Sequence, residues 1–268
     1  MANVEHLRLL QAGAVQWVEW RTTYPQIEPD LSAANLQQNN LRGADLQGVN
    51  LSKVDLSHAL LVRANLSYAN LSSANLHQSK LSEANLSGTH LSVANLSQAI
   101  LTQADLSHAT LIGSDLREAN LRGATLNQTN LIGTDLSGAN FREADLGAAQ
   151  LNRANLSFAN LIAANLIEAD ISEANLYGID LMGAYLYKAN LYKARLNQAH
   201  LSGAYLFRVN LTEADLSGAD LGWTNLKNAN LAGANLSGAN LRGANLSGAN
   251  LSGVNFHNAI MPDGSRLD

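Results

Sequence analysis

Ala234-Asn235-Leu236-Ser237-Gly238 runs without a break into Ala239-Asn240-Leu241-Arg242-Gly243 and then Ala244-Asn245-Leu246-Ser247-Gly248. The same unit, less pure, recurs far upstream as Ala64-Asn65-Leu66-Ser67-Tyr68. From Leu31 to Phe256 every fifth residue is apolar, with no insertion: 46 positions, of which 43 are Leu and the others Phe141, Ile171 and Phe256. Each pentad therefore has five slots: a small residue, an Asn/Asp, the Leu, an outer residue and a fifth. Repetition on this scale decides the architecture before any other feature is weighed.

Neither regular element can use a period of five. Along a strand, successive Leu would alternate between faces, because five is odd and side chains alternate with period two. In an α-helix each step of five turns about 140°, scattering Leu around the surface. A single burial direction for every Leu requires the chain to turn once per pentad. The small and Leu slots, two apart, then point inward; the Asn/Asp between them and the two residues after Leu point outward. Glycine agrees, since 16 of the 20 occupy the fifth slot, where a tight turn needs positive φ.

Charge correlation sets the number of turns in one coil. Fifth-slot charges 20 residues apart are Arg63/Glu83, Arg153/Glu173, Glu173/Lys193, Lys193/Glu213, Glu168/Lys188 and Lys188/Arg208: five opposite pairs and one like. Spacings of 15 and 25 show no such bias. Departures from Asn/Asp also recur at 20, in Leu60, Lys80 and Ile100, as do the aromatic pairs Tyr185/Tyr205 and Tyr187/Phe207. Four pentads per coil give about 11 coils and a rod on the order of 55 Å long at the spacing of neighbouring strands. One buried Leu contributes roughly 1.5–3 kcal/mol, against roughly 1–2 kcal/mol for ordering each of five residues. A pentad cannot stand alone, so stability must come from stacking, with hydrogen bonds and Asn ladders between coils.

The pattern of small residue, Asn or Asp, Leu, Ser/Thr/Arg and a variable or Gly residue resembles the pentapeptide-repeat proteins over most of the chain. The resemblance implies an all-β solenoid, a right-handed quadrilateral parallel β-helix with the small and Leu side chains inside. The flanks resemble cyanobacterial members: Leu9-Leu10-Gln11, Trp17 and Trp20-Arg21 leading to Pro29-Asp30-Leu31-Ser32, and the closing Ile260-Met261-Pro262-Asp263-Gly264-Ser265. The expected organisation is an N-terminal α-helical cap and linker over 1–29, the β-helix over 30–260 and a tail over 261–268. Asn3 is the expected N-cap of one helix over 3–21, ending before Pro25, with Val4, Leu7, Leu10, Ala14, Trp17 and Val18 on its buried face. At the other end, two arrangements stand: Phe256 plugs the last coil beneath Met261-Pro262-Asp263-Gly264, or two C-terminal ends stack as a homodimer.

Composition narrows the function. No Cys is present, so there is no disulfide framework, thiolate metal site or Cys nucleophile. A net charge of −5 argues against DNA binding through a basic surface. No apolar run approaches the roughly 18 residues that span a bilayer, and the start, MANVEHLRLLQAG, has no signal-peptide core. A soluble cytoplasmic protein without a membrane association is expected.

Catalytic chemistry finds no foothold. His6, His58, His77, His90, His108, His200 and His257 show no metal-ligand spacing, and each Asp in the repeat shares its slot with Asn elsewhere. No phosphate loop, dinucleotide fingerprint or nucleophile elbow occurs. The expectation is a protein that is not an enzyme and takes no metal or cofactor.

One region departs from monotony. Tyr177, Tyr185, Tyr187, Tyr192, Tyr205 and Phe207, six of the 14 aromatic residues, crowd into residues 176–208 in outward slots, with Lys188, Lys193, Arg195 and Arg208 among them. Exposed aromatics with Arg are enriched at interface hot spots, and these ten residues form the candidate partner-binding patch. Stacked rings that only reinforce neighbouring coils are the competing reading. A weaker apolar set is Leu60, Val62, Ile100, Ile162 and Met182.

The function expected is a rigid, non-catalytic scaffold for protein–protein interaction, with an unknown protein partner and a regulatory role. The resemblance also implies an alternative, since some members mimic duplex DNA and protect a topoisomerase such as DNA gyrase from quinolones. Residues 31–260 hold 16 acidic and 14 basic residues, with Glu alternating with Lys or Arg, so no acidic stripe supports mimicry. Direct nucleic-acid binding through Tyr185, Tyr187, Lys188, Phe207 and Arg208 and a purely structural or stress-related role complete the alternatives.

Overall fold

The computed structural model describes residues 2–267, and from Asp30 onward the chain winds as a four-sided parallel β-helix. Parallel bridges join each Asn/Asp slot to the one 20 residues on, from Asp30–Asn50 to Asn240–Ile260. Four pentads therefore close one coil. Four faces follow, numbered 1 to 4 by their first Leu: Leu31, Leu36, Leu41 and Leu46. Of the five opposite-sign fifth-slot pairs, four close as ion pairs: Arg63–Glu83, Arg153–Glu173, Lys188–Glu168 and Lys193–Glu213. Glu173, already held by Arg153, leaves Lys193 to Glu213.

The pentad 154–158 shows why the sequence repeats. The Ala154 amide donates to Leu151 O across the corner, at 3.0 Å. Asn155 donates back to Thr134 O (2.9 Å), while Leu156 and Phe158 donate forward to Asn175 O (2.7 Å) and Tyr177 O (2.9 Å). Only Ser157 N–H lacks a backbone acceptor, and Asn155 Oδ1 receives it at 3.3 Å. The Asn/Asp slot thus completes the hydrogen bonding of its own turn, a short side-chain-to-backbone closure. Its amide also continues a ladder between coils: Asn175 Nδ2 donates to Asn155 Oδ1, and Asn155 Nδ2 to Asp135 Oδ1.

Corners follow the same rule everywhere. All 46 fifth-slot residues from Ala33 to Asn258 have positive φ, 30 of them not glycine and including Val93, Tyr68, Phe158 and Trp223. Positive φ at the second central residue alone, with the carbonyl of the Leu bonded to the amide three residues on, is the type II pattern.

Inside the rod the Leu slots are sealed from solvent along most of its length. Where Ser or Thr replaces the small residue, its hydroxyl bonds a Leu carbonyl, as Ser79 does to Leu76 O at 2.7 Å and Thr129 to Leu106 O at 2.9 Å. Buried polar groups in the shaft are therefore satisfied.

The N-terminal cap differs from the single helix expected over 3–21. Gly13, at φ 117° and ψ 171°, divides it into α1 (Val4–Ala12) and α2 (Ala14–Thr23). That backbone lies in a region essentially restricted to glycine, and the break rotates the two apolar stripes relative to each other. His6, Leu10 and Trp17 are buried, whereas Val4 is 72 % exposed and Val18 also faces solvent. Asn3 is the N-cap, accepting from the Glu5 and His6 amides. The cap closes the first coil with side-chain donors: Trp17 Nε1 reaches Asp45 O at 2.6 Å, and Arg21 reaches Asp45 O and Gln47 O.

The tail folds back as a small antiparallel hairpin, Ile260 opposite Arg266, with Asn258 N–H bonded to Leu267 O at 2.7 Å. It roofs only part of the last coil. Phe256 stays half-buried and Leu251 is 37 % exposed.

Candidate partner-binding face

Coil geometry sorts the ten sequence-selected residues. Tyr185 and Tyr205 fill consecutive Asn/Asp slots of face 4, and Tyr187 and Phe207 the outer slots beside them. The Tyr185 and Tyr205 rings stack at 4.9 Å, 6° from parallel; Tyr187 and Phe207 stack at 5.6 Å and 13°. Lys188 and Arg208 stand at the bordering corner, Lys188 5.1 Å from the Tyr187 ring centre and Arg208 5.3 Å from that of Phe207. Beyond that corner, on face 1 and its far edge, lie Tyr192 and Lys193, also paired cation to ring at 5.1 Å. Seven of the ten thus lie on face 4, on its corner with face 1 or on face 1 itself, and Lys193 stands at the far corner of face 1.

Tyr177 and Arg195 do not join them. Both belong to face 2, on the opposite side of the rod, because each lies two pentads from face 4 in the coil register. Nearness in sequence put them with the others; the 20-residue period separates them. There Tyr177 packs edge-on against Phe158, ring centres 5.3 Å apart, beside a shallow cleft of about 290 Å³ bordered by Gln198, His200 and Asp220. The weaker apolar set all falls on face 3, in two groups: Leu60, Val62 and Ile100 near the cap, Ile162 and Met182 farther along.

Two residues extend the patch beyond the sequence reading. Ile167 is exposed on face 4, one coil before Tyr187 in the same column. Trp223, 73 % exposed, stands at the corner between faces 3 and 4 with its indole over Gly243. Its signal was available, since a Trp in a slot that favours glycine is the largest departure of any corner.

The Tyr substitutions cost the fold something. An Asn/Asp at 185 or 205 accepts the amide two residues on; with Tyr there, the Tyr187 and Phe207 amides have no acceptor among the described residues. Face 4 carries only two rungs of the Asn ladder, Asn65 to Asp45 and Asn165 to Asp145, and the Tyr pair adds none. Electrostatically the border is partly neutralised. Glu168, hydrogen-bonded to Lys188 at 3.2 Å, and then the neighbouring Tyr187 raise the lysine above its usual range. Glu213 holds Lys193 at 3.4 Å. Arg208 and Lys227 have no ion-pair partner among the described residues.

Nothing in this arrangement resembles a reaction centre. Among the described residues no group of three or more His, Asp or Glu is placed to hold a metal, and no helix is long and apolar enough to cross a membrane.

A coil closed every 20 residues around stacked Leu defines a solenoid of the five-residue class. The sequence profile described as pentapeptide repeats matches residues 30–222 and 224–261. The chain belongs to the pentapeptide-repeat family, whose members form right-handed quadrilateral β-helices. Among solved structures it is similar to HetL, a pentapeptide repeat protein involved in heterocyst differentiation regulation in the cyanobacterium Nostoc sp. strain PCC 7120. The two are 40 % identical over 85 % of this chain and 94 % of that one, with a TM-score of 0.31. Rfr23 of the cyanobacterium Cyanothece 51142 is 38 % identical over 34 % of this chain and 58 % of its own, at a TM-score of 0.28. QnrB1, a plasmid-mediated fluoroquinolone resistance protein, is 19 % identical over 77 % of this chain and 88 % of its own, at a TM-score of 0.35. Comparison with curated proteins gives no match.

Proposed function

We propose that this chain is a non-catalytic rod that binds a protein partner through face 4 between Ile167 and Phe207, in a regulatory role of the kind described for HetL. The observation that carries the reading is the pair Tyr185 and Tyr205. They occupy slots where Asn or Asp elsewhere closes the turn and continues the ladder, and they forgo both. Departures from a fold's own rule without a net structural gain point to functional positions, and exposed aromatics beside Arg are typical anchors of interfaces. The opposite-sign corner pairs speak for this reading over DNA mimicry, because they cancel the carboxylate charge that a mimic would have to display.

The test is affinity capture from the source cell with wild type and with Tyr185→Asn/Tyr205→Asn, which restores the repeat's own residue and so preserves the fold. A partner held by wild type and released by the variant supports the assignment. Retention of the same partner at equal yield refutes it.

The C-terminal end supports a second contact. Leu251 is exposed, Phe256 half-buried, and the Leu246, Gly248, Leu251 and Gly253 amides have no acceptor among the described residues. Unpaired edges of this kind recruit further strands, and a second copy meeting end to end would cover this one. Sedimentation showing a dimer that Leu251→Lys dissolves supports it; a monomer at high concentration removes it.

A further inference from the structure

The partner's chemistry follows from how the rings on face 4 are turned, an inference that rests on the partner-binding reading above. Centre separations of 4.9 and 5.6 Å, with planes 6° and 13° apart, are too short for rings lying side by side flat on the surface. The rings overlap face to face along the rod. Their side chains also project away from it, and Tyr185 and Tyr205 are about half exposed. In each pair the face turned toward the other ring is partly covered by the stack, and Lys188 and Arg208 stand over the Tyr187 and Phe207 rings.

Edge and face of an aromatic ring differ in charge: the face is negative, the edge positive. The exposed ring edges and the hydroxyls of Tyr185, Tyr187 and Tyr205 can therefore donate to an anionic group. The charges flanking the rings reinforce that preference. Arg208 and Lys227 are cations without an ion-pair partner among the described residues, and Lys227 continues the Tyr187–Phe207 column one coil on. Of the carboxylates near the border, Glu168 is held by Lys188 and Glu213 by Lys193. Ile167 gives the aromatic columns an apolar end.

We infer that face 4 receives an acidic protein segment, whose carboxylates meet Arg208, Lys227 and the ring edges while an aliphatic or aromatic side chain settles beside Ile167. A single-stranded nucleic acid is the competing anion. Base recognition without sequence preference relies on aromatic faces as stacking platforms, and here each of the four rings already has one face in a mutual stack.

The experiment titrates the full chain, labelled for observation of its Tyr ring signals by NMR, with three probes. These are a peptide of alternating Glu and Leu, the same peptide with Gln for Glu, and a twelve-nucleotide oligothymidine. Expected are saturable shifts of the Tyr185 and Tyr205 signals with the acidic peptide, at least tenfold weaker binding of the Gln peptide, and loss of binding in Arg208→Gln/Lys227→Gln. Neither substitution touches a bond that holds a coil, so the variant folds, and unchanged circular dichroism verifies it. Equal binding of the Glu and Gln peptides, no saturable shift, or tighter binding of the oligonucleotide overturns the inference. A captured cellular partner released by Tyr185→Asn/Tyr205→Asn but indifferent to Arg208→Gln/Lys227→Gln leaves the partner-binding face standing and refutes only the acidic chemistry.

Discussion

Replacing Tyr185 and Tyr205 together separates what the rings do for the rod from what they do for a partner. Tyr185→Asn/Tyr205→Asn forfeits the stacked pair, worth about 0.5–1.5 kcal/mol beyond area burial, and the burial of two rings that are 46 % and 49 % exposed. In return it restores hydrogen bonds that the coil register dictates. The new amides accept from the Tyr187 and Phe207 N–H groups, donate to Asn165 and to each other, and receive Asn225. Five bonds at the low end of the usual net value, about 0.5 kcal/mol each for half-exposed groups, return about 2.5 kcal/mol. Gain and loss nearly cancel, so the Asn pair is expected within about 1 kcal/mol of wild type. Tyr185→Ala/Tyr205→Ala loses the same rings and gains nothing, and falls about 2–3 kcal/mol below it. Urea denaturation followed by circular dichroism, with hydrogen exchange at coils 165–225, measures both. Equal stability of the Asn and Ala pairs would show that the ladder bonds contribute nothing, and the argument that the Tyr residues are costly would fall. An Asn pair as weak as the Ala pair should be is the signature of rings whose task is to clamp coils.

Three further outcomes follow from the geometry. Gly43→Val places a β-branched residue at φ 62° where its Cβ meets nothing within 4 Å, so the loss, about 1–2 kcal/mol, is backbone strain alone; Val93→Gly at φ 59° should gain part of that back, both read as denaturation midpoints. Trp17→Phe removes the bond to Asp45 O, and a loss of about 1–2 kcal/mol should show as faster hydrogen exchange in the first coils with the distal coils unchanged, since each coil contacts only its neighbours. Asp115, bonded by Arg117 at 2.9 and 2.6 Å and then by the Arg117 amide, is held below the usual carboxylate range. A lowered folded pKa gives stability that is complete above the unfolded value near 4 and disappears as pH falls through the folded one. Arg117→Gln should therefore be less stable than wild type at pH 7, with the gap closing as pH falls below the unfolded carboxylate value near 4; a gap unchanged by acidification refutes the pairing.

The repeat was legible because five slots each have one physical task, stated 46 times. The spacing of Leu fixes a corner per pentad, and opposite charges at 20 fix four corners per coil. Other features were not legible, for reasons that differ. Gly13 sits within a helix-like apolar pattern, and a single glycine is tolerated in helices, so only the backbone reveals the break. Val93 and Trp223 adopt positive φ because hydrogen bonds on both sides of the corner impose it, overriding local preference. Tyr177 and Arg195 were placed with the wrong neighbours because a window along the chain follows sequence, whereas a solenoid's neighbours lie one period away.

A repeat supplies its own controls, which gives departures from it unusual weight. In an ordinary domain, a Tyr in place of Asn has no reference position; here the same slot recurs in every pentad and its requirements are known from the bonds it makes. Asn155 shows the requirement met, receiving Ser157 N–H and Asn175 Nδ2 while donating to Asp135. Tyr185 and Tyr205 show it refused twice in succession on one face, with the outer slots beside them also turned aromatic. Successive departures also occur at Leu60, Lys80 and Ile100 on face 3, but there the outer slots hold Val62, Ser82 and Thr102, whereas beside Tyr185 and Tyr205 they hold a second stacked aromatic pair. On the partner-binding reading proposed above, a shaft that neighbouring coils keep stable can carry such a surface, which accounts for both aromatic columns lying side by side on face 4.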